Sequence, residues 1–255
     1  ETKTATEMPC GGYANLMSRV KDIRLKVIPS KIANDFIKKH HYSGKVVPNS
    51  KLHFGCFLDG VLHGVMSFGN PIDKRKILGL VETDNFGFNQ KWNEMLELNR
   101  MAFDEVLPKY SESRCISIAM KLIKKQAPHI KWILSFADGT QCGDGTIYRA
   151  SGFDLIQINK NSTIYKLSSG EVAAKHGTSK KDFSNAKRLN GFQLCYVYKI
   201  SKDCDLAQKP ISFSKIKEMG ASMYLGKKCD VGVKRSTTSI QDVGGGAIPT
   251  TSLHL

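Results

Sequence analysis

The stretch "SFADGTQCGDGTIYRASGF" (residues 135–153) joins an apolar run to a short helical pattern through a turn that contains several glycines. Glycine loses more backbone freedom on folding than other residues, so such a turn indicates positive φ angles or a close approach of the chain to a neighbour. The spacing matches neither the dinucleotide-binding fingerprint nor a P-loop, since no lysine follows the last glycine. The elements on either side of the turn must therefore explain it.

These flanking elements predict a mixed α/β core. "IKWILSFA" (130–137) is a nearly continuous apolar run of strand length, which is typical of a strand buried on both faces. Before it, apolar residues at helical spacing predict a helix with Ser113 as its N-cap and Pro128 just past its end. After the turn, a short helix over 146–151 leads to another strand at "FDLIQI" (153–158).

The N-terminal part of the core is predicted to contain a strand, a helix and a hairpin. "DIRLKVIP" (22–29) alternates as a strand does, and Ser30 is placed to cap the helix that follows it. "LHFGCFLDGVLHGVMSFG" (52–69) predicts a β-hairpin through Asp59-Gly60. By pattern alone, "EMLELNRMAF" (94–103) fits a helix or a strand. If it is a strand, alternation places Asn99 and Arg100 on opposite faces.

The pattern loosens beyond residue 160. A hairpin arm is predicted over 162–171, a short basic helix over 178–191 and a further strand over 192–200. We expect an N-terminal tail (1–20), a core (21–200) with a basic insertion around 170–191, and a C-terminal extension (201–255) that is partly extended.

Charge is the strongest global feature of the sequence. The chain has 38 Lys and Arg against 23 Asp and Glu, a formal net charge of +15, with 16 basic and 7 acidic residues after position 154. Such an excess favours polyanions through counterion release and electrostatic steering. We therefore predict nucleic acid as the partner, with phosphate contacts in the basic insertion at Lys180, Lys181, Lys187 and Arg188.

Two further observations concern the compartment. No apolar run approaches the ~20 residues of a membrane span, so no membrane partner is expected. The seven cysteines form no Cys-x-x-Cys pair, which argues against a zinc ribbon and against a disulfide framework. We expect a reducing cytoplasm.

If 94–103 is a strand, the element order resembles that of the GNAT acyltransferases. That fold implies two adjacent strands that splay apart around an acyl-CoA, with its pyrophosphate at the N-terminus of the next helix. "YRASGF" (148–153) is similar to the Tyr…Gly-Phe ending of the last core helix in that fold. The usual glycine-rich loop is replaced by "SESRC" (111–115), where Ser113 and Arg114 would offer a hydroxyl and a guanidinium. The predicted class is α/β: a GNAT-like core with a mixed, splayed sheet and a basic C-terminal extension.

Three stretches resemble the Mom DNA-modification proteins of Mu-like bacteriophages: "HHYSG" (40–44), residues 96–125 and residues 135–153. With "LHGVMSFG" (62–69) the resemblance covers most of residues 30–155, and "DVGGGAIPT" (242–250) is similar too. It implies an enzyme of the host cytoplasm that converts adenine in double-stranded DNA to N6-carbamoylmethyl adenine. This modification would protect phage DNA from restriction.

The resemblance also implies an iron site and an acyl-donor site. His41, Tyr42, Asp138 and Tyr148 are the implied iron ligands, and imidazole, carboxylate and phenolate groups all suit iron. Arg100 and Ser113 are implied at the acyl-donor cleft, with Arg114 beside them. The donor is either acetyl-CoA or glycyl-tRNA, and a homodimer is left open.

Other interpretations stay open at this point. Without the resemblance, His41 would be interpreted as a histidine at a helix end, Asp138 as a turn residue and Tyr148 as a core residue. Arg100 then reads as a salt-bridge partner on the sheet. Two other functions also fit: a GNAT-type enzyme that acylates a protein or small molecule, and a non-catalytic DNA-binding protein on an acyltransferase core.

Overall fold

The computed structural model describes residues 19–71, 77, 79–81, 92–141, 143–175, 181–202, 204–224 and 227–228. The helices are α1 Ser30–His40, α2 Ser111–Gln126, α3 Thr146–Ala150 and α4 Ser214–Glu218. The strands of the main sheet are β1 Arg24–Val27, β2 Ser50–Leu58, β3 Val61–Gly69, β4 Met95–Phe103, β5 Trp132–Asp138, β6 Asp154–Asn161 and β10 Gly191–Lys199. Shorter strands are β7 Ile164–Lys166, β8 Val172–Ala174, β9 Lys187–Arg188, β11 Met223–Tyr224 and β12 Lys227–Lys228.

The main sheet has the order β1-β2-β3-β4-β5-β10-β6. Its neighbours pair antiparallel except β4 and β5, which pair parallel. The parallel ladder ends at Leu98 and Ser135, although β4 continues to Phe103 and β5 to Asp138. The two strands therefore part, which confirms the predicted mixed, splayed sheet of a GNAT-like α/β fold and settles residues 94–103 as a strand.

The hairpin of β2 and β3 forms as predicted. Asp59 and Gly60 have φ angles of 51° and 81°, the pair of positive values that a type I′ turn requires. Such a turn matches the right-handed twist of its flanking strands.

The two faces of the sheet carry different layers. Val65 packs with Ala33 and Ile37 of α1, whereas the adjacent Met66 packs in the main core cluster with Ile116 of α2. Because successive side chains of a strand point to opposite faces, α1 and α2 cover opposite sides of the sheet. A third cluster, which includes Trp132, covers the β5–β10 half.

Helix α2 begins earlier than the sequence predicts. Tyr110, in the left-handed conformation with a φ of 75°, is its N-cap residue. Ser113 lies inside the first turn and donates its hydroxyl to the Tyr110 carbonyl at 3.1 Å. The predicted capping role of Ser113 is therefore wrong. Ser30 is likewise the first residue of α1 and follows Pro29 at the N-cap position.

The basic insertion contains a small sheet, and the helix predicted over 178–191 is wrong in its described part. Lys187 and Arg188 form β9, which pairs with Lys166 and Tyr165 of β7, while β7 also pairs with β8. Pairing with an existing strand edge satisfies the backbone of this segment without a helix. Lys180 lies outside the described residues.

The chain after β10 packs on the core. Ile216, Ala221 and Met223 are buried in the main cluster, and Ile211 donates its backbone N–H to Leu155. Residues 1–18 and 229–255, the latter with the stretch 242–250, lie outside the described residues. Among the described helices, none has both the length and the apolar character to cross a membrane.

Candidate active site

Tyr148 lies at the point where β4 and β5 part. The fully buried Ser135 places its Oγ 2.9 Å from Tyr148 Oη and 3.1 Å from the carbonyl oxygen of Leu98. Leu98 and Ser135 are also the last residues of the parallel ladder. A serine hydroxyl has one hydrogen, so it serves one of these two acceptors at a time. The phenol hydroxyl thus sits at the apex of the gap.

Aromatic packing fixes the ring of Tyr148. It stacks on Tyr196 with a centroid distance of 4.9 Å and meets Phe153 edge-on at 5.4 Å. Such pairs add stabilisation beyond the area they bury and restrict the ring to one orientation. The phenol oxygen is therefore held in place by two rings and one hydroxyl.

The glycine-rich turn is crossed closely by other parts of the chain. A Cβ on Gly139 would stand 2.5 Å from the Ala221 carbonyl, and a Cβ on Gly145 would stand 2.5 Å from Tyr196 Oη. Met223 binds the turn with two backbone hydrogen bonds, to Gly139 and to Gly143. Close approach explains the glycines, and the turn returns the chain to β5 at Tyr148.

Replacement of Gly145 by alanine should destabilise the protein by about 2–4 kcal/mol. Gly145 has a φ of 65° and is crowded by Tyr196, so alanine adds both backbone strain and a clash. Gly170→Ala is the matched control, since its φ is 84° with no atom within 4 Å of the added Cβ. Urea unfolding should show a smaller loss there, about 1–2 kcal/mol. Equal losses would contradict the crowding.

Asp138 ends β5 on the wall opposite β4. Its Oδ1 accepts from the Thr140 backbone N–H at 2.9 Å, and its Oδ2 accepts from Gln141 Nε2 at 3.0 Å. Each carboxylate oxygen has a second lone pair available. By alternation from Ser135, Asp138 projects to the opposite face of the sheet. Its two hydrogen bonds are those of a residue that stabilises a turn. The second lone pair of each carboxylate oxygen could still bind a metal ion.

His41 and Arg100 lie together on the other wall. Arg100 donates its Nε to the Lys45 carbonyl at 2.9 Å and its Nη1 to the Asn99 carbonyl at 2.7 Å. Burial, and secondly the positive charge of Arg100, lower the pKa of His41 from 6.5 to about 4. The imidazole of His41 is therefore neutral at pH 7.

Ser43 orients the ring of His41. Nδ1 of His41 accepts the Ser43 backbone N–H at 3.1 Å and lies 2.8 Å from Ser43 Oγ. With Nδ1 accepting, the neutral ring carries its hydrogen on Nε2, so metal binding through Nε2 would require the opposite tautomer. Tyr42 is 55% exposed and its ring lies 4.3 Å from that of His41.

The predicted iron ligands fit iron in their chemistry. An imidazole and three oxygen donors are present, from the turn after α1, the end of β5 and α3. The described residues contain no group of three or more His, Cys, Asp or Glu side chains that is placed to hold a metal ion. The predicted set contains only two residues of those types, because its other members are tyrosines.

A basic groove of about 460 Å³ runs along α2. Ser113, Arg114, Lys21 and Lys121 line it. Arg114 donates Nη2 to the Lys21 carbonyl at 3.3 Å, and its buried Nε has no hydrogen-bond partner among the residues that the structure describes. Three cations and a serine hydroxyl beside a helix N-terminus suit an anionic ligand.

The sequence reasoning missed Ser135, Asn99 and His53. Ser135 had a signal, since it is a polar residue within an apolar strand. Asn99 was expected to face away from Arg100, and that expectation is wrong. Ser67 pairs with Arg100 and Phe68 with Leu98, so a β-bulge leaves Asn99 as the extra residue of β4.

The model of the Mom protein family matches residues 22–210. The methylcarbamoylase Mom of Escherichia phage Mu is 40% identical over 151 residues, which cover 58% of this chain and 58% of that protein.

The comparison with solved structures finds acetyltransferases. One from Bacillus subtilis in complex with CoA is 11% identical, with a TM-score of 0.43, over 69% of this chain and 98% of that one. A GNAT family acetyltransferase from Elizabethkingia anophelis with acetyl-CoA bound is 10% identical, with a TM-score of 0.43, over 70% and 98%.

Proposed function

Because the chain belongs to the Mom protein family, we propose that it is a transferase that places a carbamoylmethyl group on N6 of adenine in double-stranded DNA. The observation that carries this proposal is the family match over residues 22–210, together with 40% identity to a protein named methylcarbamoylase. The match spans 58% of that relative, so activity, substrate and partners are all part of the proposal. The enzyme would act in the host cytoplasm and protect phage DNA from restriction.

The reaction places two demands on the protein. The N6 amine of adenine is a weak nucleophile, because its lone pair is delocalised into the ring. In a duplex it is also stacked, and extrusion of the base costs roughly a few kcal/mol. Phosphate contacts from the basic insertion would offset this cost. The gap between β4 and β5 would then bring the extruded base to the donor.

Tyr148 is the residue that we assign to the reacting atoms. Its Oη lies at the apex of the gap, where it accepts a hydrogen bond from Ser135 Oγ at 2.9 Å. As a phenolate it would hold the metal beside the donor carbonyl, and the hydrogen bond from Ser135 would orient the phenolate. Arg100 would hold the wall that carries His41 through its bond to the Lys45 carbonyl.

His41, Tyr42, Asp138 and Tyr148 would hold the iron of this proposal. Ordinary acyl transfer leaves a carbonyl directly on N6, whereas the proposed product carries a CH2 there. When bound, the metal would polarise the donor carbonyl or support a redox rearrangement. The protein residues would orient the donor and exclude water from the gap.

Ser113 and Arg114 would bind the acyl donor. They line the basic groove with Lys21 and Lys121, so the groove offers several positive charges to phosphate groups. Both donors carry phosphates: CoA has a pyrophosphate at the far end of its pantetheine arm from the acetyl group, and tRNA has a phosphodiester backbone. The groove therefore supports a phosphorylated donor of either kind.

The DNA surface is proposed at β9. Lys187 and Arg188 are both exposed, whereas Lys181 forms an ion pair with Glu171. Each phosphate contact contributes about −0.9 to the log–log salt slope of binding. The Lys187→Ala, Arg188→Ala double variant should therefore flatten the slope by about 1.8. Lys181→Ala should change it less.

The control for this prediction removes the same charge elsewhere. Lys124 and Lys125 lie in the last turn of α2 and are exposed. Their double alanine variant should keep the wild-type slope in fluorescence anisotropy with duplex DNA. If both double variants flatten the slope equally, net charge rather than β9 determines binding.

The experiment that tests the function is mass spectrometry of nucleosides from bacteria that express the protein. A deoxyadenosine about 57 Da heavier is expected, since CH2CONH2 replaces one N6 hydrogen. DNA with this group should resist restriction enzymes that contact N6 in the major groove. If only normal deoxyadenosine is found with abundant folded protein, the enzyme proposal fails and a non-catalytic DNA-binding protein takes its place.

A further inference from the structure

A buried polar cluster lies on the wall of the gap formed by β4. We call Ser50, His53, Ser67 and Asn99 the Asn99 cluster. Ser50 Oγ donates to Asn99 Oδ1 at 2.9 Å, and His53 Nδ1 lies 2.8 Å from Ser67 Oγ. Ser67 pairs in register with His53 on one side and with Arg100 on the other. The cluster thus spans β2, β3 and β4.

Two atoms of this cluster lack a hydrogen-bond partner. Asn99 is 7% exposed and His53 is 4% exposed, yet Asn99 Nδ2 and His53 Nε2 have no partner within the described ranges. Buried polar atoms are paired in nearly all native structures, so an unpaired one requires an explanation. Two in one cluster indicate a ligand that supplies both missing partners.

The position of Asn99 connects the cluster to the gap. Leu98 is the last residue of β4 that pairs with β5, so Asn99 is the first residue of the free wall. The bulge turns Asn99 and Arg100 toward the same covering segment, residues 41–50, where they contact Ser50 and Lys45. Asn99 is therefore the residue of the cluster next to the gap, and its side chain is covered by this segment in the free protein.

The two unpaired atoms define the chemistry of the ligand. Asn99 Nδ2 can only donate. Burial lowers the pKa of His53, although the Ser50 backbone opposes part of this shift, so its ring is neutral at pH 7. In the tautomer whose Nδ1–H donates to Ser67, His53 Nε2 accepts. The complement is an edge with an acceptor next to an amino donor, as in adenine with its ring nitrogen and 6-amino group.

We infer that the Asn99 cluster binds the edge of the extruded adenine, with Asn99 Nδ2 donating to a ring nitrogen and His53 Nε2 accepting from the 6-amino group. This inference rests on the proposed function. The base would thus be selected on the α1 side of the gap, whereas Tyr148 would act on the acyl donor. Flipped bases are generally read through hydrogen bonds to such edges.

The test uses binding and does not depend on product. The probes are single-stranded oligonucleotides of thymidine with one adenine, or with purine, which lacks the 6-amino group, in its place. By fluorescence anisotropy, the wild type should prefer the adenine strand on the order of tenfold. His53→Leu should lose this preference and keep the affinity for the purine strand. Asn99→Leu should weaken the binding of both strands alike, because purine retains the ring nitrogen to which Asn99 Nδ2 would donate. Asn159→Leu, an exposed amide on β6, is the matched control and should keep the preference.

A structural role is tested separately. Asn99→Leu and His53→Leu also remove the bonds to Ser50 and Ser67, so each should melt somewhat below wild type. Ser50→Ala and Ser67→Ala break the same two bonds and leave the unpaired atoms in place, so they should melt similarly and keep the wild-type binding of both strands. Binding that falls in the serine variants as it does in the leucine variants overturns the inference, as does equal binding of adenine and purine strands by the wild type. If His53→Leu loses the adenine preference while no modified deoxyadenosine forms, the inference stands and the proposed function fails. If product forms and His53→Leu keeps the preference, the inference fails alone.

Discussion

Tyr148→Phe should lower the yield of modified deoxyadenosine about 10²–10⁴-fold, because it removes a proposed iron ligand and with it several kcal/mol of charge stabilisation by the metal. The substitution keeps the ring that stacks on Tyr196 and removes only the hydroxyl beside Ser135. Ser135 then retains the Leu98 carbonyl as its acceptor, so the stability cost should be about 1 kcal/mol. The measurement is nucleoside mass spectrometry at matched levels of folded protein.

Asp138→Ala should reduce the product to a similar degree and should also lower the iron bound per chain in protein purified without chelating tags. Tyr198→Phe is the control, because its ring packs against Phe153 and lies one step further from the gap. DNA affinity should be unchanged in all three variants, since none lies on β9. Wild-type product and iron content in Tyr148→Phe and Asp138→Ala would remove both residues from the site.

Local patterns predict the elements whose structure depends on local interactions. Asp59-Gly60 specifies its turn through its own φ angles, and residues 130–137 predict β5 through continuous hydrophobicity. The strand of residues 94–103 was ambiguous because Leu96 and Leu98 fit either period. Its pairing with β3 and β5, which are distant in sequence, decides the conformation. The helix predicted for the basic segment before β10 is wrong for the same reason, since β9 forms by pairing with β7.

The candidate site shows the same difference between features that local sequence specifies and features that distant residues specify. The glycine-rich turn showed that something must approach the chain closely, but Tyr196 and Ala221 are too distant in sequence for local patterns to identify them. The bulge at Asn99 is a mismatch of register between β3 and β4, so it has no signature within β4. The roles proposed for residues at the gap follow from the family resemblance, whereas contacts in the structure identify Ser135 and the Asn99 cluster.

Acidification should destabilise the protein through His41. Burial and Arg100 lower its pKa from 6.5 to about 4, so between these values the unfolded chain binds a proton that the folded chain does not. The free energy of unfolding therefore rises with pH across this window. The contribution of His41 is complete above pH 6.5 and is lost as the pH falls toward 4. It amounts to about 3 kcal/mol, since one pKa unit corresponds to 1.36 kcal/mol.

His41→Gln should remove this dependence while keeping a polar side chain of similar length. Urea unfolding at pH 7.5 and at pH 4.5 should show a drop in wild type that exceeds the drop in the variant by about 2–3 kcal/mol. His53, whose pKa burial also lowers, acts in the same direction and leaves a residual slope in the variant. His129→Gln, at an exposed position after α2, should behave as wild type. Parallel pH profiles for wild type and His41→Gln would show that the imidazole of His41 is accessible to protons in the folded state, and thus that the wall of the gap beside Arg100 is open to water.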